Sequence, residues 1–287
     1  TASYSEFVKF YAGPNKIPEA ETVGSYKHKE TGLTIDPDQG NTIEFNLRKD
    51  SFYPVSNPKE TIFEIGTYPG KLGDENSGKI KLELSASSGS PFRISYKSGL
   101  SEVTELQIGS SNVTTSSIAD THWHQYSFVV WVTGSDLNAK LYIDGQYDSM
   151  VTSSIGSVKK IDSYMAGHLG ANIAAGKGNL GAGIDDFRFW KGKRNGKEIG
   201  KYYDKKIYAS NTDSVEYLSR LGLYYKFNKS LVGDKTIDSL VLDHSGNEIN
   251  GRIKFYTPSC LQNTSGITSN AANQSEESPD AEINEEN

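Results

Sequence analysis

Along residues 122–148 apolar and polar positions alternate with a period of two. Tyr126, Phe128, Val130 and Val132 fall on one side, with Ser127, Val129 and Trp131 on the other. After the polar stretch 133–138, Leu141 and Ile143 point one way, Lys140 and Tyr142 the other. That period, carried by β-branched and aromatic residues and bounded by turn formers, marks half-buried strands. Asp144-Gly145 closes the second run, and glycine accepts the positive φ of a tight hairpin without steric cost. An antiparallel meander with one buried face is therefore expected here.

The same alternation recurs along the chain. Ile43, Phe45 and Leu47 oppose Glu44 and Asn46; Ile80, Leu82 and Leu84 oppose Lys79, Lys81 and Glu83; Phe92, Ile94 and Tyr96 form a third set. Residues 61–65, 105–108 and 161–169 predict further strands. Residues 5–11 also alternate, but Gly13-Pro14 and Ile17-Pro18 break the pattern at once, so 1–29 reads as an arm or linker. One helix is predicted. Asn195 can cap it, Glu198 completes a capping box, and Ile199, Tyr202 and Tyr203 follow at helical spacing through Lys206. A second helical turn fits 214–221.

Three motifs add a resemblance. Trp123 opens an apolar strand that leads to Leu141-Tyr142-Ile143-Asp144-Gly145. Some forty residues on stands Gly183-Ile184-Asp185-Asp186-Phe187-Arg188-Phe189-Trp190. Both resemble the laminin-G-like, concanavalin A-type jelly roll, the second its last-strand motif, with Asp186 where glutamate is usual. The third, Leu221-Gly222-Leu223-Tyr224-Tyr225-Lys226-Phe227-Asn228 with Leu242-Asp243-His244-Ser245-Gly246-Asn247 after it, is similar to segments in large structural proteins of marine tailed phages of the cyanophage type. The resemblance implies an all-β jelly-roll sandwich over 30–208 with one short peripheral helix. A smaller β segment over 209–256 would complete or follow it, and a polar acidic tail occupies 257–287. It further implies a Ca²⁺ ion, with Asp185 the leading ligand and Asp186 beside it. The setting it implies is a virion, among other virion proteins in a homo-oligomer or larger assembly, with host glycans as a further partner. The alternative is an extracellular, calcium-dependent lectin-like module attached to a larger protein.

Composition narrows the function classes. The 287 residues carry a formal charge of −6. The six carboxylates from Glu276 to Glu286 equal that imbalance, so the body is close to neutral. A neutral body lacks the basic footprint of nucleic-acid binders and gives no electrostatic docking on anionic lipid. No apolar run approaches the ~20 residues of a membrane helix. The single cysteine, Cys260, excludes an internal disulfide framework. The first residue is Thr1 and no leader pattern is present, as expected of a processed chain or a segment of a longer one.

Candidate chemistry is sparse. Retaining glycoside hydrolysis needs two carboxyl groups about 5–5.5 Å apart, and no E-x-D-x-E strand exists. The glycine-rich stretch 170–183 lacks the G-K-[ST] of a phosphate loop, since Gly178 follows Lys177. No histidine stands beside a nucleophile elbow, and His122-x-His124 reads as a sheet-edge pair packing beside a core Trp123. A non-enzymatic protein is therefore expected. Glycan or protein contact would fall on the outward aromatics Trp131, Tyr142, Tyr147 and Trp190, since amphipathic rings suit both.

Overall fold

The computed structural model describes residues 6–12, 33–52, 59–67, 77–87, 89–162, 164–173, 178–207, 219–227, 239–256 and 266–267. The predicted turn at 214–221 lies largely outside these, as do Cys260 and the acidic tail. In chain order the strands are β1 Phe7–Ala12, β2 Asn41–Arg48, β3 Lys59–Thr67, β4 Gly78–Ser85, β5 Phe92–Ser98 and β6 Ser101–Ile108. A single turn, α1 Thr115–Ile118, precedes the meander β7 Trp123–Thr133, β8 Asp136–Ile143 and β9 Gln146–Ser154. Then come β10 Met165–Leu169, β11 Gly183–Trp190, α2 Gly196–Tyr202, β12 Leu221–Tyr225, β13 Leu240–Val241 and β14 Gly251–Lys254.

Two antiparallel sheets face each other in a jelly-roll sandwich. The larger runs β13-β14-β1-β10-β3-β4-β5-β6, the smaller β12-β11-β2-β7-β8-β9. Aromatic side chains close the space between them. Phe92 of β5 meets Tyr126 and Phe128 of β7 with ring centroids 5.0 Å apart in each pair, and Phe63 of β3 meets Phe187 of β11 at 4.9 Å. Close packing here requires a glycine. A Cβ on Gly167 would stand 2.0 Å from the ring of Phe10, which lies across β10.

Residues 7–12 correct the arm reading of 1–29. They form β1, held inside the larger sheet between β14 and β10, with Val8 opposite Leu169. Val8, Phe10 and Ala12 belong to the core, so the alternation seen in the sequence outweighs the Gly-Pro break that follows it. Residues drawn from 209–256 extend both sheets, β12 the smaller and β13 and β14 the larger.

The smaller sheet's outer face is polar where most sheets are solvated, yet much of it is buried. The predicted α2 forms, and its capping box is complete: Asn195 Oδ1 accepts from the Glu198 amide at 2.9 Å and Glu198 Oε2 accepts from the Asn195 amide at 2.8 Å. This helix lies on the outer face, setting Ile199 against Val129 and Tyr142. Beneath it Glu44, on β2, accepts from Trp190 Nε1 at 2.9 Å and pairs with Arg194. Arg188 stands 3.6 Å from the same carboxylate. Arg188 also donates to the Tyr202 carbonyl at 3.1 Å, and Arg194 to that of Glu198 at 3.0 Å, tying the helix to the strands. Glu44, Arg188, Trp190 and Arg194 are 1–3% exposed.

Removing one partner of a buried ion pair strands the other charge and costs about 3–5 kcal/mol, whereas exposed pairs contribute about 0–1 kcal/mol. Glu44→Ala is therefore expected to lower unfolding free energy by roughly 3–5 kcal/mol in a denaturant titration. Lys59→Ala, which breaks the half-exposed Lys59–Glu105 pair, should cost under about 1 kcal/mol in the same assay.

Candidate functional site

Past the C-terminal end of α2 the outer face of the smaller sheet is open. A groove of about 590 Å³ lies there. Its floor is formed by Asn46, Arg48, Trp123 and Gln125, which lie in two rows read across adjacent strands. Asp185 of β11 is opposite Asn46 of β2, which is opposite Gln125 of β7. One row on, Gly183, Arg48 and Trp123 occupy the same three strands. A Cβ at Gly183 would stand 3.0 Å from Trp123 Cη2, so the indole reaches over β2 to β11 and floors the groove. Thr121 and His122 form one wall, Asp144 a second, and Tyr203, Asp204 and Gly266 the remaining side.

Local geometry fixes these walls. Asp144 has φ +49 at the β8–β9 turn, and its Oδ1 accepts the Gln125 amide at 2.8 Å. Its Oδ2 meets His124 Nδ1 at 2.7 Å, and Asp120 meets the other ring nitrogen at 2.9 Å. The hydrogen bond from Asp144, joined by that from Asp120, raises the His124 pKa to about 9 against opposing desolvation. Gly145, at φ +75, lies under the ring of Tyr203, whose Cδ1 would be 2.6 Å from any Cβ there. Gly266 donates its amide to Asp185 Oδ2 at 2.9 Å and presses on Asn46, where a Cβ would stand 2.3 Å from the Asn46 Cβ.

The floor carries polar atoms without partners. Asn46 Nδ2, Gln125 Oε1 and Trp123 Nε1 are buried and make no hydrogen bond among the described residues. Asn46 and Gln125 are 2% and 4% exposed. Leaving such a group unsatisfied costs about 1–3 kcal/mol, so buried polar atoms nearly always have partners. Three around one groove, beside an indole and a tyrosine ring, form a surface suited to a hydroxyl-rich ligand with an apolar face.

The sequence-predicted aromatics do not converge on this groove. Trp131 is half-buried eight residues along β7 from Trp123, roughly 26 Å at about 3.3 Å per residue. Its ring lies between the ammonium groups of Lys140 and Lys193, at 5.6 and 5.7 Å. Tyr142 is 7% exposed beneath α2, and Trp190, at 1%, presents no ring face to solvent. Tyr147 is 58% exposed and meets Tyr142 edge-on. Trp123, expected in the core, instead faces outward in the groove.

The carboxylates are also placed differently. Counting alternately back from Phe187 and Phe189 sets Asp185 on the core face. A bulge between Asp185 and Arg188, with Asp186 at φ +51, inserts one residue and turns Asp185 to the outer face. Asp185 accepts two backbone amides, from Asp186 and Gly266. Asp186 is buried against Arg188 and accepts from the Tyr224 hydroxyl at 2.5 Å. Burial pushes its carboxyl up to about 6, against the Arg188 guanidinium. Calcium needs six to eight oxygen ligands. A guanidinium seated on one carboxylate and backbone amides on the other do not fit that ion. No group of three or more histidine, cysteine or acidic side chains suited to a metal occurs among the described residues.

No family model matches, and no curated protein matches. Solved structures align with the chain at low identity and with TM-scores below 0.5. A Bacteroides ovatus protein assigned to carbohydrate binding is 14% identical, with a TM-score of 0.48 over 88% of this chain and 58% of its own. The binding domain of Paraclostridial Mosquitocidal Protein 1 is 15% identical, with a TM-score of 0.39 over 68% of this chain and 42% of its own. The CBM40 of Ruminococcus gnavus IT-sialidase, bound to α2,3 sialyllactose, is 14% identical, with a TM-score of 0.39 over 57% of this chain and 83% of its own. The chain thus spans about half the length of the first two. The groove's chemistry is read from its own residues.

Two outcomes follow. His124 has its pKa raised on folding, so its clamp stabilises fully below the ordinary value of 6.5 and is lost as pH rises through about 9. Melting temperature should fall across that window in the wild type and much less in His124→Gln, as read by thermal unfolding at a series of pH values. Chelator or added Ca²⁺ should leave the wild-type melting temperature unmoved.

Proposed function

We propose that this chain is a non-catalytic glycan-binding module whose site is the groove at the start of β7. The observation that carries this reading is the floor: an indole laid across three strands beside two buried amide atoms, Asn46 Nδ2 and Gln125 Oε1, that have no partner among the described residues. A pyranose has a face of C–H groups and an edge of hydroxyls. The first stacks on Trp123 or Tyr203, and the second needs directional donors and acceptors, which Asn46, Gln125, Asp144 and Asp204 supply. The floor residues Asn46, Arg48, Trp123 and Gln125 sit on strands, so these groups are held in place before any ligand arrives. No step of bond-breaking is assigned to it.

The resemblance of the strand motifs to tailed-phage structural proteins supplies a setting for such a module, adhesion on a particle surface; a secreted lectin-like module is the other. Antibody-gold labelling of purified particles separates them. Label at a fibre or tail tip supports adhesion, and bare particles leave the secreted module.

Glycan-array screening followed by calorimetry tests the site itself. Wild-type protein should bind at least one oligosaccharide, and Trp123→Ala should weaken that binding about tenfold or more, about 1.4 kcal/mol. Trp131→Ala, outside the groove, should leave it within about twofold. Equal loss from both variants, or loss from Trp131→Ala alone, would refute this location.

A further inference from the structure

The same groove restricts which sugars can enter, an inference that rests on the glycan-binding reading above. Asn46 Nδ2 and Trp123 Nε1 are donors and Gln125 Oε1 an acceptor, all buried and without partners among the described residues. The carboxylates of Asp144 and Asp204 on the walls accept. A sugar hydroxyl gives one donor and two acceptor lone pairs, so a vicinal diol can satisfy both kinds of group at once.

Charge points the same way. The groove's guanidinium is Arg48, whose Nε stands 3.8 Å from the Asp50 carboxylate. His124 lies between Asp120 and Asp144, so its charge is already countered. His122 is 3.7 Å from Asp120. Asp204 is exposed at the rim and adds a further negative charge. Among the described residues, the carboxylates of Asp50, Asp120, Asp144 and Asp204 outnumber the cations Arg48 and His124 around the opening. A carboxylated sugar entering here would set its charge beside the exposed Asp204, and like charges repel.

We propose that the groove takes the uncharged, hydroxyl-bearing end of a neutral oligosaccharide and rejects sialylated and uronic-acid sugars.

Matched probes test this on the full chain. Neutral oligosaccharides are arrayed beside the same structures carrying sialic acid or a glucuronic acid, and affinities are measured for wild type, Trp123→Ala and Asp204→Asn. Wild type is expected to bind the neutral member of a pair at least about tenfold more tightly. Asp204→Asn should narrow that ratio about threefold or more at low salt, and added salt should narrow it in the wild type too. Acidic probes bound as well as neutral ones, with binding lost in Trp123→Ala, would overturn the selectivity and leave the groove a glycan site. A ratio unmoved by Asp204→Asn and by salt would overturn its electrostatic cause. Binding of no probe of either kind would overturn both readings.

Discussion

The Glu44 carboxylate, buried on the outer face of the smaller sheet, is the constraint on which the functional surface depends. A charge in that position must be matched, and Arg194 and Arg188 match it while Trp190 donates to it. The two arginines then need acceptors of their own and take backbone carbonyls in and after α2. One carboxylate thereby fixes a helix to a sheet. Hydrophobic contact alone, Ile199 on Val129 and Tyr142, would leave the helix free to slide along the face. The charged network sets its register, and that register leaves the Trp123 end of the sheet open while closing the Trp190 end.

This division explains which parts of the molecule were legible in the sequence. The strands were, because period-two alternation depends only on which face meets the core: Ile80, Leu82 and Leu84 are buried against the opposing sheet as their pattern requires. The helix was, because the Asn195–Glu198 capping box is a local signal. The site was not, for three physical reasons. A second layer covers the outer face, so the outward aromatics Trp190 and Tyr142 are buried by α2, a tertiary event with no signature in their own strands. The bulge at Asp186 shifts parity by one, so Asp185 lies on the face opposite to the one its alternation predicts. Trp123, by contrast, could have been found. It shares the parity of Gln125, Ser127, Val129 and Trp131 on β7, the outward set, and only its hydrophobicity argued for the core. Asn46 and Gln125 gave the same hint: uncharged amides at outward positions of central strands, where solvated faces more often carry lysine and glutamate.

Rigidity and strength part company at such a site. The floor is strand backbone, Asp144 is held by His124 and the Gln125 amide, and Gly266 is pressed against Asn46 too closely for any side chain. Little ordering remains for binding to impose, which lowers one of the main costs of association. Yet the contacts on offer are few, and larger ligands commonly gain only about 0.3 kcal/mol per heavy atom. A disaccharide of about two dozen such atoms would then bind with about −7 kcal/mol, a dissociation constant on the order of ten micromolar. A rigid groove of modest affinity gains most when many copies face one surface, since linked sites raise avidity by roughly 10²–10⁴ without any new contact. Display in multiple copies is therefore the arrangement in which this groove's geometry would be most effective, whether the carrier is a particle or a larger secreted protein.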